Sequence, residues 1–530
     1  MENTDSTIEN EVVLRHSDHL VFWCLTVLSS IATLWLIIIW IWALDWGRHP
    51  IILSGVTGVG AILVSLNQAS WFILLYMKRP RWIPAREDWR VAVVTTIVPT
   101  VESVDMLTTT LEALVGLEYP HDTWVLDEDN DPGVQQQCER LGVKHFSRKS
   151  LPQYQTEEGI FKSRSKHGNY NSWLCETGYK EYDILVAFDP DHVPHNSFLM
   201  RVLGYFNDPT VAYVQAPQVY YNQDASFIAR GAAEESYEYY SYVQMGSYGR
   251  GYPVLIGCHN THLLEALRQV GGFAAHDADD LLTTLSYRSS SWQGVYVPEI
   301  LAQGLTPVDW PSYIAQQRRW ARAILDIKFR HYPRIAAQLP WPTRVIALLQ
   351  GTDYFHRSLL ILFSLILLIA MLALGTAPSI HGVSLPLAGS CTVLLLCRIF
   401  QRRFYLDKDA KTGWHWRALV LEFAKWPFVL GEVFELIRGA RRDYFVTPKT
   451  RSTLPKQILL LPNVLIITAV TAAWIIGAIS GDAENGYLFG LYGAAGLTIA
   501  GSLALIATEH IKFPAPYDPT RRPTFDRQNR

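Results

Sequence analysis

Residues 183–192 read D-I-L-V-A-F-D-P-D-H, an apolar run from Ile184 to Phe188 that stops at Asp189, Pro190, Asp191 and His192. A short apolar run ending in a break predicts a buried strand of a parallel sheet. Asp189 and Asp191 then stand at its carboxyl end, where open α/β sheets bind ligands. Carboxylates so close repel unless a proton or cation lies between them. A hard divalent ion bridging substrate phosphates would answer that need; D-x-D alone is equally compatible with a solvated turn. Four further clusters follow the same logic. Asp127-Glu128-Asp129-Asn130-Asp131 ends another apolar run, and Lys166-His167-Gly168-Asn169-Tyr170-Asn171 comes next. Gly271-Gly272-Phe273 leads to Ala278-Asp279-Asp280, which opens an expected helix over 281–287. Gln316-Gln317-Arg318-Arg319-Trp320 is last.

The elements that must position these groups are legible in outline. Val91–Val98, Thr123–Leu126, Ile184–Phe188 and Val211–Gln215 read as strands. Leu107–Val115, His167–Tyr179 and Ser197–Phe206 read as helices between them. Strands alternating with helices predict a parallel, doubly wound α/β sheet. Neither a Walker A motif nor G-x-G-x-x-G is present, so ATPase and dehydrogenase chemistry lack support. A helix expected over Trp310–Phe329 puts Gln316, Arg319 and Trp320 on one face, at spacings of three and four. An aromatic ring beside a guanidinium and an amide suits a pyranose. The same face could instead pack Trp320 into a core, with Arg318 and Arg319 at a membrane surface.

Apolar segments flank this region at Leu20–Leu44, Ile51–Tyr76, Leu359–Leu374, Leu385–Leu396, Ile458–Ile479 and Tyr487–Ile506, about six crossings by length. Lys78, Arg79, Arg81, Arg86 and Arg90 follow the second span, which predicts a cytosolic N-terminus and a cytosolic α/β domain. Trp414–Ile437 is apolar but interrupted by Glu422, Lys425, Glu432 and Glu435, the pattern of an interfacial amphipathic helix. The 530 residues are 49% hydrophobic and 18% charged with a net charge of −3, so no nucleic-acid partner is expected. The six cysteines form no C-x-x-C pair, which speaks against a zinc site or a disulfide framework, and no cleavable signal peptide is expected over 1–18.

Taken together, these clusters resemble the signature D, D-x-D, T-E-D and Q-x-x-R-W of processive, inverting family 2 membrane glycosyltransferases. Those are the cellulose synthases and their curdlan, mixed-linkage glucan, chitin and hyaluronan synthase relatives. The matching positions are Asp127, Asp189/Asp191, Asp280 and Gln316/Arg319/Trp320. Gln303 to Trp310 is family-like as well, and Tyr444-Phe445-Val446-Thr447-Pro448-Lys449 resembles the F-x-V-T-x-K gating loop of cellulose synthases. Departures are Tyr444 for Phe, Ala278-Asp279 for Thr-Glu, Ala323 for the common Gly, and Pro99-Thr100-Val101-Glu102 as a loose P-x-Y-N-E.

The resemblance implies a cytosolic α/β GT-A (Rossmann-like) domain over 78–307, inserted in an α-helical membrane domain. A tail at 1–19 and two spans within 20–77 precede it. Interfacial helices with Q-x-x-R-W over 308–350 follow, then spans within 351–508, with an interfacial helix and gating loop at 412–452, and a cytosolic tail at 509–530. No cyclic-di-GMP-binding domain is expected after the last span, in contrast to bacterial cellulose synthases. The implied reaction transfers a sugar from a UDP-sugar, UDP-glucose first, to a growing polysaccharide, giving a β-glucan that crosses the membrane. A hyaluronan- or chitin-type synthase and a non-processive lipid-linked glycosyltransferase are the alternatives; a transporter or an inactive scaffold stands further off. Asp191 with Asp189 would bind Mg2+ or Mn2+, and Asp127, Lys166, Thr100 and Glu102 would complete the nucleotide-sugar site. Asp280 would be the general base. Gln316, Arg319, Trp320, Gly257, Cys258 and His259 would meet the acceptor, although His259 reads equally as a structural histidine. Trp341, Trp426 and Phe428 are candidates for a channel mouth, Tyr444, Phe445, Val446, Thr447 and Lys449 for the gate. Membrane lipid and a periplasmic or extracellular export partner complete the expected associations.

Overall fold

The computed structural model describes residues 8–43, 50–375, 384–439, 456–480 and 488–510. The expected gating residues Tyr444 to Lys449 and the tail from 511 lie outside them. The centre of the molecule is a seven-stranded sheet. Its strands in chain order are β1 (Val91–Ile97), β2 (Asp122–Asp127), β3 (Lys144–Phe146), β4 (Ile184–Phe188), β5 (Val211–Gln215), β6 (Asn260–Leu263) and β7 (Gln293–Tyr296). In space they run β7-β5-β6-β4-β1-β2-β3. Every side chain of β4 and β5 is buried, because helices and loops cover both faces of the sheet. One face packs Leu107, Leu111, Phe198 and Leu203; the other packs Tyr170, Trp173, Leu264 and Tyr287.

The sheet is mixed, which corrects the all-parallel expectation. β1 pairs parallel with β2 and β4, and β7 with β5, but β6 runs antiparallel between β4 and β5. β6 reads N-T-H-L, too short and polar to declare itself as a central strand. Its polar groups are satisfied internally: His262 bonds Tyr287 Oη at 3.0 Å and Asn260 Oδ1 at 2.9 Å. Between β1 and β4 the winding of the sheet reverses, since β2 lies on the far side of β1. A crevice opens at that point, outside the strands' carboxyl ends.

Four helices matter to the crevice: α1 (Lys166–Trp173), α2 (Asp279–Ser289), α3 (Trp310–Asp326) and α4 (Trp416–Ile437). α1 and α3 end earlier than expected, because each passes into a π-turn, at Leu174–Gly178 and Ile327–His331. α3 starts at the N-cap Asp309, whose carboxylate accepts from Ser312 N at 2.9 Å, with Pro311 in its first turn. A small sheet of Val193–Pro194, Ala302–Gly304 and Val219–Tyr220 lies beside β4's exit. Among the described residues, six helices are long and apolar enough to cross a bilayer: His16–Trp42, Pro50–Tyr76, Asp353–Ala373, Ser384–Arg402, Ile458–Ile479 and Gly490–Thr508. A strand at Asn10–Val12, not expected from the sequence, pairs antiparallel with Lys78–Pro80. It ties the entrance of the first apolar helix to the exit of the second.

Candidate active site

The crevice, with the solvent space at its open mouth, spans about 640 Å³ and is lined from both sides of the switch point. Ile97 and Val98 come from the end of β1, Asp189 and Asp191 from the end of β4, Lys166 from α1 and Arg319 from α3. Asp191 is buried, and its Oδ1 lies 3.1 Å from His192 Nδ1. Asp189, Asp191 and His192 each present a ligating atom within 4.8 Å of the others. His192 was not foreseen as a ligand. What fixes its ring is Gly304, where an added Cβ would fall 2.2 Å from His192 Nε2, so only glycine lets the ring pack there.

Lys166 links the two halves of the site. Its Nζ pairs with Asp189 Oδ1 and donates to the carbonyl of Gly257. That residue opens α1 because Ser165 caps the helix, accepting from Gly168 N at 3.1 Å. A Cβ on Gly168 would come 2.3 Å from Lys162 O and 2.7 Å from Arg148 Nη1. Asn169 donates to Leu126 O at 3.2 Å, and Tyr170 Oη to Val94 O at 3.2 Å. Asn171 clasps Phe273 by two backbone bonds of 2.9 Å, which sets the G-G-F turn ahead of α2.

Asp279 and Asp280 form the first turn of α2. No side chain caps this helix; Asp280 Oδ1 accepts from Leu281 N at 2.7 Å instead. Asp280 Oδ2 lies 3.4 Å from the position a Gly257 Cβ would take, and Lys166 Nζ 4.0 Å from it. Lys166, Gly257, Asp279 and Asp280 line one small cavity that adjoins the crevice through Lys166. Burial, then the neighbouring Asp279 charge, pushes the Asp280 carboxyl up to about 6, against the Leu281 amide and Lys166. Burial raises Asp279 too. Such a shift in a cleft marks a group suited to proton transfer near neutral pH.

The other expected residues fall into two sets. Glu102 lines the crevice and accepts from Val98 N at 2.8 Å, while Thr100 is exposed and bonds Asp129 at 3.0 Å. Asp127 is wholly buried behind the crevice and accepts from the amides of Asp129 and Asp131, at 3.0 and 2.6 Å, and from His145 at 3.1 Å. Glu128 beside it faces the crevice and pairs with the fully buried Arg148 at 2.8 Å. Neither partner was singled out from the sequence, though both belong to the polar turns after β2 and β3. Arg319 reaches the crevice; Gln316, buried, and Trp320, half-buried, share its helix without lining it. Cys258 and His259 are buried and line neither cavity. His259 Nε2 contacts the carbonyls of Ala216 and Pro217 at 3.1 Å each, and burial pushes its pKa down to about 3. Phe428 packs edge-on against Trp310, and Trp341 is 73% exposed.

Residues 92–323 match the family described as "Glycosyltransferase like family 2". The chain is 27% identical over 301 residues to cellulose synthase 2 of Novacetimonas hansenii, covering 54% of this chain and 17% of that protein. It is 26% identical over 281 residues to the UDP-forming cellulose synthase catalytic subunit of Pseudomonas fluorescens strain SBW25, covering 51% and 36%. The chain thus spans well under half the length of these curated relatives. A mannosyltransferase from Pyrobaculum calidifontis, solved with GDP-Man and Mn2+, aligns at TM-score 0.47 and 16% identity over 74% of this chain and 99% of that one. The match to glycosyltransferase-like family 2 runs from β1 into α3, over the mixed sheet and the crevice, and across that stretch the chain is similar to cellulose synthases.

Proposed function

We propose that the chain is a processive, inverting β-glycosyltransferase that polymerises sugar from a UDP-sugar, UDP-glucose first, into a β-glucan and passes it across the membrane. The observation that carries this reading is the bridge made by Lys166. One cation touches Asp189 and the Gly257 carbonyl, and Gly257 lies against Asp280, so donor and acceptor carboxylates converge on one point. On this reading residues 78–307 form the cytosolic catalytic domain, and 412–452 hold the amphipathic helix and gate.

Asp189, Asp191 and His192 would hold Mg2+ or Mn2+: two carboxylates suit either hard ion, and an imidazole beside them is compatible with Mn2+. Bound there, the ion would supply Lewis acidity to the departing diphosphate. Lys166 and Arg319 add fixed positive charge along the same wall. Glu102, Thr100, Asp127 and Glu128 border the nucleotide end. Asp280, charged above about pH 6, takes the proton of the acceptor hydroxyl as its oxygen attacks the anomeric carbon. The bond to the diphosphate breaks on the opposite face, so an α-linked donor gives a β-linked product. Leu281 N–H holds Oδ1 and leaves Oδ2 on the cleft side. Arg319, with Gln316 and Trp320 on the same helix, would bind the acceptor end.

The deciding experiment incubates purified protein with a panel of UDP-sugars and Mg2+ or Mn2+, then digests the product with linkage-specific hydrolases. A long β-glucan from UDP-glucose supports the reading. Transfer of single sugars only, or consumption of UDP-N-acetylglucosamine alone, would replace it.

A further inference from the structure

Outside the groups used above, one side-chain cluster joins the base helix to the acceptor helix. His276 lies in the loop before α2, and its Nδ1 accepts from Ala278 N at 3.0 Å, two residues ahead of Asp280. Its Nε2 faces Asp326 Oδ2 at 3.2 Å, and Asp326 is the last residue of α3. His331, on the π-turn that follows, stacks edge-on against His276 with centroids 5.3 Å apart, its Nε2 3.8 Å from the same oxygen. Arg330 pairs with the other Asp326 oxygen at 3.0 Å.

Two imidazoles and a carboxylate this close invite a metal, but the backbone argues otherwise. A ligated Nε2 requires the ring proton on Nδ1, where it would point at the Ala278 N–H. The Ala278 bond instead fixes the proton on Nε2, which donates to Asp326. The ring is therefore a strut with one end on the N-cap of α2 and the other on the C-terminus of α3. The opposite end of the loop is already held, by Asn171 on Phe273 and by Thr283 Oγ1 accepting from Ala274 N at 3.1 Å. Between those anchors and α2, the Ala278 amide is held by His276.

We infer that His276 and Asp326 are positioning residues, setting the base Asp280 at its distance from the acceptor face of α3 so that each added sugar meets the base in reacting geometry. The inference rests on the reading of Asp280 as base and α3 as acceptor helix. A misplacement of about 1 Å can lower a rate by as much as about a hundredfold without weakening donor binding.

The test uses the full chain in detergent, UDP-glucose as donor and UDP release as readout. His276→Asn keeps an acceptor for Ala278 N–H but falls short of Asp326. It should lower kcat about tenfold, with KM for UDP-glucose within about twofold. Asp326→Ala should do the same. The double variant should fall no further than the worse single, as residues acting through one contact do. Asp326→Asn retains an oxygen for Nε2–H and should recover most of the rate. Amide hydrogen exchange over 277–282 reads the strut without turnover: faster in His276→Asn and Asp326→Ala, as in wild type in Asp326→Asn. Wild-type kcat and exchange in both disrupting variants, or losses that multiply in the double, would overturn the inference. Asp280→Asn keeps the two readings apart. If it turns over normally the base assignment falls; if it is dead while His276→Asn is normal, only the strut falls.

Discussion

If Asp280 is the base as proposed, burial of its carboxyl acts on rate and on stability in opposite senses. Its pKa of about 6 comes first from burial and then from Asp279. A base must be charged, so kcat/KM should rise with pH to a midpoint near 6 and level off above it, measured with UDP-glucose from pH 4.5 to 8.5. Asp280→Asn should lose about 10²- to 10⁴-fold in kcat. Stability runs the other way. The folded carboxyl keeps its proton up to about 6 while the unfolded one releases it near 3.8. Its contribution is therefore full at acid pH and lost as pH rises between those values. Asp280→Asn, always neutral, should melt above wild type at pH 7.5 and level with it near pH 4; a lower melting point at pH 7.5 would mean burial is not the cause. The places of Asp189 and Asp191 past a strand's end, and of Asp280 at a helix start, were legible from sequence because each adjoins a strong local signal. Glu128 and Arg148 were not, because their partnership joins the ends of two strands, which chain order does not reveal.

At the scale of elements, packing decides whether those groups meet. The backbone oxygen of Lys162 and the Arg148 guanidinium crowd Gly168 so closely that no Cβ fits. Gly168→Ala should push α1 and Lys166 off Asp189. The expected cost is about 1–3 kcal/mol of stability and at least about a tenfold loss of UDP affinity, by thermal melting and calorimetry. α3 is held to α4 by Arg318 and Arg322, which converge on the fully buried Glu432 at 2.5 and 3.3 Å. Glu432→Ala removes the carboxylate that both guanidiniums share and should cost about 1–3 kcal/mol, with a raised KM for acceptor; Glu432→Gln, which still accepts, should lose less. Periodicity foretold α3 and α4, whose apolar stripes span many turns. It missed β6 because four residues carry no period, and because buried Asn260, Thr261 and His262 look like a polar loop until Tyr287 is seen beside them.

The whole molecule couples a polar crevice to an apolar bundle. EDTA should lower turnover by about a hundredfold or more, with recovery on added Mg2+ or Mn2+; full activity in EDTA would remove the ion from Asp189 and Asp191. The bundle raises the larger question. Its helices expose broad apolar surface, with Ile51 at 85%, Leu497 at 77% and Ile479 at 81%, as lipid-facing helices do. The pairing of Asn10–Val12 with Lys78–Pro80 puts both ends of the first helix pair on the catalytic side. If the chain polymerises sugar as proposed, the polymer is made on that side and, if the helices conduct it, leaves on the other. In proteoliposomes with the catalytic domain outward, UDP-glucose added outside should yield a glucan that resists added β-glucanase until detergent opens the vesicles. Product digested at once in sealed vesicles would mean that the six helices anchor the enzyme without conducting its polymer.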